Sequence, residues 1–531
     1  MVEKIFFNGD ILTMEDSLYA DAIFIKDGII KKVGTKDEVL KFKNDNTDLI
    51  DLNGKTLMPS FIDSHSHITA VANTLSLVHL SNSKSFEDLV TILKNYKEEN
   101  NLNDTDWIIG FGYDNNSLKE KINPTKEILD KVSTTNPIVI THISGHMGVL
   151  NSTALKEIGI SKATKNPEGG KIGRVGTSNE PNGYVEETAF VNASSKIPAP
   201  SLNNLIKLLK KTQNIYLSYG ITTAQDGLVK DESFALLKNI SDNEDLDIDV
   251  VGYVDLKNCK HIVDDNKQYV KNYVNRFKIG GFKIFLDGSP QGRTAWMTKP
   301  YLNGYKDYCG YPVYQDNEIK DFIKTSLDYN IQLLSHCNGD AAANQLITSF
   351  KSVLSKNPNS KEIKPVMIHA QLLRKNQIAS LKNINMIPSF FVAHTYYWGD
   401  VHIKNFGEER AFNISPAKTA LEDGVLYTFH QDSPVIMPNM LETVWCAVNR
   451  VSKNGVIIGE DQRISPLAAL KAVTINAAYQ YSEEYKKGSL KDGKLADLII
   501  LDNNPLKVDP MEIKNIKILE TIKEGKTLYK L

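Results

Sequence analysis

The sequence places two of its 11 histidines one residue apart, in the stretch MPSFIDSHSHI from Met58 to Ile68. On an extended strand alternate side chains share a face, so His65 and His67 would point the same way. Later apolar runs end in comparable residues: IQLLSH ends in His336, KPVMIH ends in His369, and VLYTFHQ is followed by Asp432. Lys283 lies inside GFKIFLDGS, a setting in which an unpaired ammonium is costly. A lone HxH pair recurs by chance, and a single strand-end histidine is most often structural. Four histidines and an aspartate at the ends of several strands are a different matter. Together they supply the imidazole and carboxylate donors that suit Zn²⁺ or a similar divalent ion.

The elements that must position these residues follow from the pattern of the chain. Short apolar runs alternate with amphipathic segments such as NEIKDFIKTSLDYN, the βα repeat of a parallel sheet. The runs are LMPSFIDSHSH, GITTAQDG, DVVGYVDL, FKIFLDGS, IQLLSHCNGD, KPVMIHAQ, NMIPSFFVAH and VLYTFHQDSP. Eight of them predict an α/β fold, a (β/α)₈ TIM barrel over 57–480, whose active site belongs at the carboxyl ends of the strands. The stretch of about 69–219 is too long for one crossover and reads as an insertion after the first barrel strand. Residues 1–56 and 481–531 read as short strands joined by KDG and NG turns, which predicts a small β-sandwich formed from both termini.

Bulk composition narrows the function class. With 62 basic and 64 acidic residues the net charge is −2, so neither nucleic acid nor a membrane is expected as a partner. The expected partner is a small-molecule substrate, with a homodimer as the expected assembly. The N-terminal stretch lacks the basic, apolar, small order of a signal peptide. Four scattered cysteines, without a CxxC pair, fit a reducing compartment, and a cytoplasmic location is expected.

In the order and spacing of PSFIDSHSH, GITTAQDG, FKIFLDGSPQGRTAWMTKPY, LLSHCNGDAA, IHAQLL, HTYYWGDVH, FNISPAKTALEDGVLYTFHQDSPV and GSLKDGKLADLIILDNNPL, the chain resembles the amidohydrolase superfamily. Within it the resemblance is to amidohydrolase family 3, which includes N-substituted formamide deformylases. It spans essentially the whole sequence and implies a metal-dependent hydrolase with one or two divalent ions. His65, His67 and Asp432 would bind one ion, and His336 and His369 the second. Lys283 would bridge them as a carbamate, which would account for a buried lysine. Metal-activated hydroxide would attack a C–N (amide) bond, with N-formyl or N-acyl amines as substrates and Asp432 as catalytic proton shuttle. The same scaffold supports cyclic amides, lactones or heterocyclic amines as alternatives, and a non-catalytic regulatory relative is the third reading. His146, in ISGHMGVLNSTAL, and His394, in VAHTYYWGD, are candidate substrate contacts. Asp226, Asp287 and Asp340 are expected to orient ligands or cap helices, and Tyr396, Tyr397 and Trp398 to line a pocket or pack on a loop. Cys337 should face away from His336. His79, His142, His261, His402 and His430 carry no functional assignment.

Overall fold

The computed structural model describes all residues except 1–2, 116, 143, 198–200, 303–306, 359 and 361. It divides into two compact units, one of Met1–Val71 with Leu209–Leu531 and one of Ala72–Leu208.

The larger unit holds an eight-stranded sheet whose order follows the sequence. Its strands are β1 (Phe61–Ile62), β2 (Ile221–Val229), β3 (Asp249–Asp255), β4 (Phe277–Phe285), β5 (Gln332–Cys337), β6 (Val366–His369), β7 (Ile387–Phe390) and β8 (Thr428–Phe429). Every neighbouring pair is parallel, and helices such as Asp316–Tyr329 and Asp340–Lys356 separate the strands. This is a TIM-barrel-like α/β arrangement. The helix Asp316–Tyr329 shows why the local sequence folds this way. Gln315 and Glu318 form a reciprocal cap at its start, Ile319, Ile323 and Leu327 bury one stripe, and Asn330 ends it in the left-handed conformation. One face of the sheet is packed with Ile62, Val251, Tyr253, Leu334, Val366, Ile368 and Ile387. Backbone hydrogen bonds tie the segment after β1 to the segment after β8: His67 N–H donates to Ser433 O at 2.8 Å and Asp432 N–H to His65 O at 3.2 Å.

Both ends of the chain meet in a second sheet of eight strands. Its order runs Lys526–Lys530, Ile518–Lys523, Leu498–Leu501, Thr56–Pro59, Glu3–Leu12, Tyr19–Lys26 and Ile29–Gly34, with Thr47–Asp51 also paired to Glu3–Leu12. The first strand of the parallel sheet is therefore shorter than MPSFID suggests. Thr56–Pro59 pairs with Leu498–Leu501 and Glu3–Leu12, and only Phe61–Ile62 pairs with β2. The chain changes sheet at Ser60, whose N–H donates to Asp497 O at 3.0 Å.

The smaller unit is built on a six-stranded sheet with the order Gly170–Arg174, Pro181–Glu187, Met147–Leu150, Ile138–His142, Ile108–Tyr113 and Leu77–His79. Its own core includes Leu80, Leu89, Leu93, Ile108, Ile138 and Val149. Among the described residues no helix is long and apolar enough to cross a membrane.

Charge is buried at the amino end of the parallel sheet. Lys523 reaches Asp249 at 2.8 Å and Asp497 at 2.7 Å, and Lys487 reaches Asp249 at 2.6 Å and Glu483 at 2.9 Å. Lys278 pairs with Glu483. Burial would raise the Asp249 carboxyl, but the two lysines hold it far below the ordinary carboxylate range. Removing one member leaves buried charge uncompensated. Asp249→Ala is expected to cost about 3–5 kcal/mol, read as a lower urea midpoint, with Zn²⁺ binding by the folded protein unchanged.

Candidate metal centre

The six residues singled out by type and spacing occupy one end of the parallel sheet. Lys283 lies near the end of β4, His336 is the penultimate residue of β5, His369 closes β6, and Asp432 follows β8. His65 and His67 are not on an extended strand, because β1 ends at Ile62; His65 falls in the bend beyond it and His67 makes an isolated bridge with Asp226. They converge all the same. His65 Nε2 and His67 Nε2 lie 3.4 and 3.3 Å from Asp432 Oδ1, and one donor atom from each of the three falls within 4.8 Å of the others. Lys283 Nζ is 3.3 Å from His65 Nε2. His369 Nε2 lies 3.0 Å from His336 Nδ1 and 3.9 Å from Asp432 Oδ2.

Strand alternation alone does not build this cluster. Val366 and Ile368 share the face that packs on Leu334, and a regular strand would send His369 the other way. His369 instead has φ +71°, Ala370 +47° and Asp432 +53°. Side-chain-bearing residues are rare in this region, at a cost of about 1–2 kcal/mol each. The left-handed turn at His369 ends the alternation and returns its ring to His336, 4.5 Å between centroids. Gly227 makes room on the other side, since a Cβ there would fall 2.4 Å from His65 Cε1.

Hydrogen bonds decide which nitrogen of His65 is free. Gln225 Nε2 donates to Ser64 O at 2.8 Å and to Tyr481 Oη at 2.9 Å, so its Oε1 is the acceptor facing His65 Nδ1 at 2.6 Å. Neutral His65 spends its proton there and presents a lone pair at Nε2 to the Asp432 carboxylate. Two acceptors in contact favour a cation beside them, a place that Lys283 Nζ approaches at 3.3 Å from His65 Nε2. Imidazole nitrogens with a carboxylate, one imidazole oriented from behind, are a donor set that fits Zn²⁺ or a similar ion.

Electrostatics agree with this donor set. Burial holds His65 and His369 well below the ordinary imidazole range and brings His336 down to about 4, with the nearby Lys283 adding to each. The rings are therefore neutral, the form that binds metal. Burial would raise Asp432, but the hydrogen bond and charge of His67, with Lys283, hold it low and ionised. Burial lowers Lys283 to about 7, against a weaker opposing pull from Asp432.

The remaining residues separate by location. His394 does not close β7, which ends at Phe390, but begins the short helix His394–Tyr397. It is buried, with Nδ1 3.0 Å from His402 Nε2 and its ring 4.6 Å from Phe391, which lies 5.3 Å from His430. His146 belongs to the Ala72–Leu208 unit, where it is exposed and 3.2 Å from Glu187. Asp287 accepts from the backbone of Trp296, Asn338 and Gly339, and thereby holds the loop after His336. Asp226 accepts from Thr69, and Asp340 holds Thr298. Tyr397 donates to Glu442, and Tyr396 packs on Trp445. Cys337 is buried.

Two residues the spacing argument passed over belong to the cluster. His430 is buried with Nε2 3.2 Å from His369 Nδ1, and Gln225 orients His65. His430 had a weak signal, two residues before Asp432. Gln225, in the middle of β2, had none.

Comparison with known proteins covers the same span. The amidohydrolase family model matches residues 48–529. Protein LONG AFTER FAR-RED 3 of Arabidopsis thaliana is 27% identical over 98% of this chain and 91% of its own length. The N-substituted formamide deformylase of Arthrobacter pascens is 24% identical over 96% of this chain and 95% of its own. An uncharacterized metal-dependent hydrolase from Pyrococcus furiosus shares the fold at a TM-score of 0.77, with 24% identity, 95% of this chain and all of that one covered.

Gly227→Ala tests the geometry. The added Cβ must push the His65 ring from its place, and Zn²⁺ affinity is expected to fall about tenfold or more, measured by competition with a chelator.

Proposed function

Since the chain belongs to the amidohydrolase family, we propose that it is a metal-dependent hydrolase that cleaves the C–N bond of N-formyl or N-acyl amines. The observation that carries this reading is the convergence of His65 Nε2 and His67 Nε2 on Asp432 Oδ1 at 3.3–3.4 Å, with a lone pair of His65 facing the carboxylate. His65, His67 and Asp432 would hold one divalent ion, and His336 and His369 a second. Lys283 would serve both as a carbamate, and Zn²⁺ suits these donors. The whole-length similarity to a formamide deformylase supports hydrolysis of a C–N bond. A bound divalent ion lowers the pKa of water towards ~7 and polarises a carbonyl.

The protein's own groups supply the proton transfers and orientation. Asp432, ionised and within reach of both histidines, takes a proton from the attacking water and delivers it to the departing nitrogen, first as base and then as acid. A carboxylic acid and an amine result. His394 Nδ1 is occupied by His402 while Nε2 makes no protein hydrogen bond among the described residues, which suits it to contact substrate. Lys283, brought to about 7 by burial, is substantially an unprotonated amine above neutrality, and only that form adds CO₂.

Three experiments test the reading. Metal analysis is paired with a screen of N-formyl and N-acyl amines for amine release. Turnover with metal present is expected, and protein that gains neither after Zn²⁺ and bicarbonate overturns the proposal. Asp432→Asn is expected to lower kcat by about 10²–10⁴-fold; an active variant removes Asp432 as the proton carrier. ¹³C-bicarbonate should give a carbamate resonance that weakens as pH falls through about 7 and is missing in Lys283→Ala; a signal retained in that variant excludes Lys283 as its source.

A further inference from the structure

Behind His369, away from the ion-binding side, lies a run of buried polar groups drawn from four strand ends. Ser64 follows β1, Ser389 lies on β7, and His430 follows β8. Ser64 Oγ donates to Phe429 O at 2.8 Å and lies 3.1 Å from Ser389 Oγ. Ser389 Oγ is 2.9 Å from His430 Nδ1, and His430 Nε2 is 3.2 Å from His369 Nδ1. All four side chains are 5% exposed or less.

We infer that Ser64, Ser389 and His430 form a hydrogen-bond chain of one polarity that places the His369 proton on Nδ1 and leaves Nε2 free to bind an ion. The polarity starts at the Phe429 carbonyl, which can only accept. It takes the single Ser64 proton, so Ser64 Oγ must accept from Ser389. Ser389 has then spent its proton and accepts from His430 Nδ1–H. A neutral His430 has no second proton, so its Nε2 accepts from His369 Nδ1–H. His369 is left with a lone pair on Nε2, the nitrogen 3.0 Å from His336 and 3.9 Å from Asp432. Reversing any link would leave a donor facing a donor or a buried contact without a proton, each at a cost. His430 is fully buried, and its ring nitrogens face Ser389 Oγ and His369 Nδ1 with no carboxylate on either to balance a charge, so the ring is neutral. His430 and Ser389 are thus positioning residues, which act on the reaction only through His369. They do for His369 what Gln225 does for His65.

This inference rests on the reading of the cluster as an ion site, and the test separates the two. Zn²⁺ dissociation constants are measured by chelator competition for wild type, Ser389→Ala and Ser389→Thr. Melting temperatures are recorded on the chelated proteins. Ser389→Ala removes the acceptor for His430, which frees His430 to turn its proton towards His369 and drive the His369 proton onto Nε2. Its Zn²⁺ affinity is expected to fall about tenfold, with the chelated protein melting as wild type does and Ser389→Thr restoring binding. ¹⁵N shifts of labelled histidine in the chelated wild type should show the Nδ1–H tautomer for His369. Equal affinity in wild type and Ser389→Ala, or failure of Ser389→Thr to rescue, overturns the inference alone. A loss that follows a lower melting temperature assigns Ser389 a structural role and also overturns it. Wild type that binds no Zn²⁺ overturns the ion site and this inference with it.

Discussion

Electron-pair donors crowd against one another at the carboxyl end of the parallel sheet, and this crowding constrains everything around them. His65 Nε2, His67 Nε2 and both oxygens of Asp432 face inward, with the His336–His369 contact beside them. Uncompensated, such a cluster is repulsive and poorly solvated. It is maintained because three of its four rings are held from outside: His65 by Gln225, His369 by His430, and His336 by the Gly288 carbonyl at 3.3 Å. The support comes from strands distant in sequence, so the cluster depends on the whole sheet being assembled.

The sheet carries ionic groups at its two ends for opposite purposes. At the amino end Asp249, Glu483 and Asp497 are matched with Lys278, Lys487 and Lys523, and charge is neutralised within the protein. At the carboxyl end the donors outnumber the protons that could satisfy them. Lys283 stands among these donors, and burial weakens its hold on a proton. The amino end is thus balanced in charge and the carboxyl end is not, and the carboxyl end is where (β/α)₈ folds build their active sites.

The cluster carries backbone strain of its own. His369 and Asp432 adopt left-handed backbone conformations that a regular strand or helix would not impose. Each turns a side chain towards the cluster, and the tight Gly227 segment lets His65 sit against the chain. Conformational cost is thus accepted where ligand direction matters, while the layer of Val251, Leu334, Val366 and Ile387 beneath is packed in ordinary strand geometry.

Much of this was legible in the order of residues. Short apolar runs, separated by amphipathic segments, located all eight parallel strands. The chemistry of His65, His67, Lys283, His336, His369 and Asp432 stood out because polar residues at strand ends are informative individually by type and jointly by recurrence. Other features required the tertiary structure. The handover at Ser60, where Thr56–Pro59 joins the sheet made by both termini, depends on strand pairing across more than 400 residues, which local pattern does not encode. The inward turn of His369 follows from a single backbone angle. The places of Gln225, Ser389 and His430 follow from hydrogen bonds between strands that only meet on folding. Residue type and spacing determined which groups could bind an ion. Only the folded chain decided which nitrogen each ring presents, because a proton's position on an imidazole is set by the neighbour on its far side.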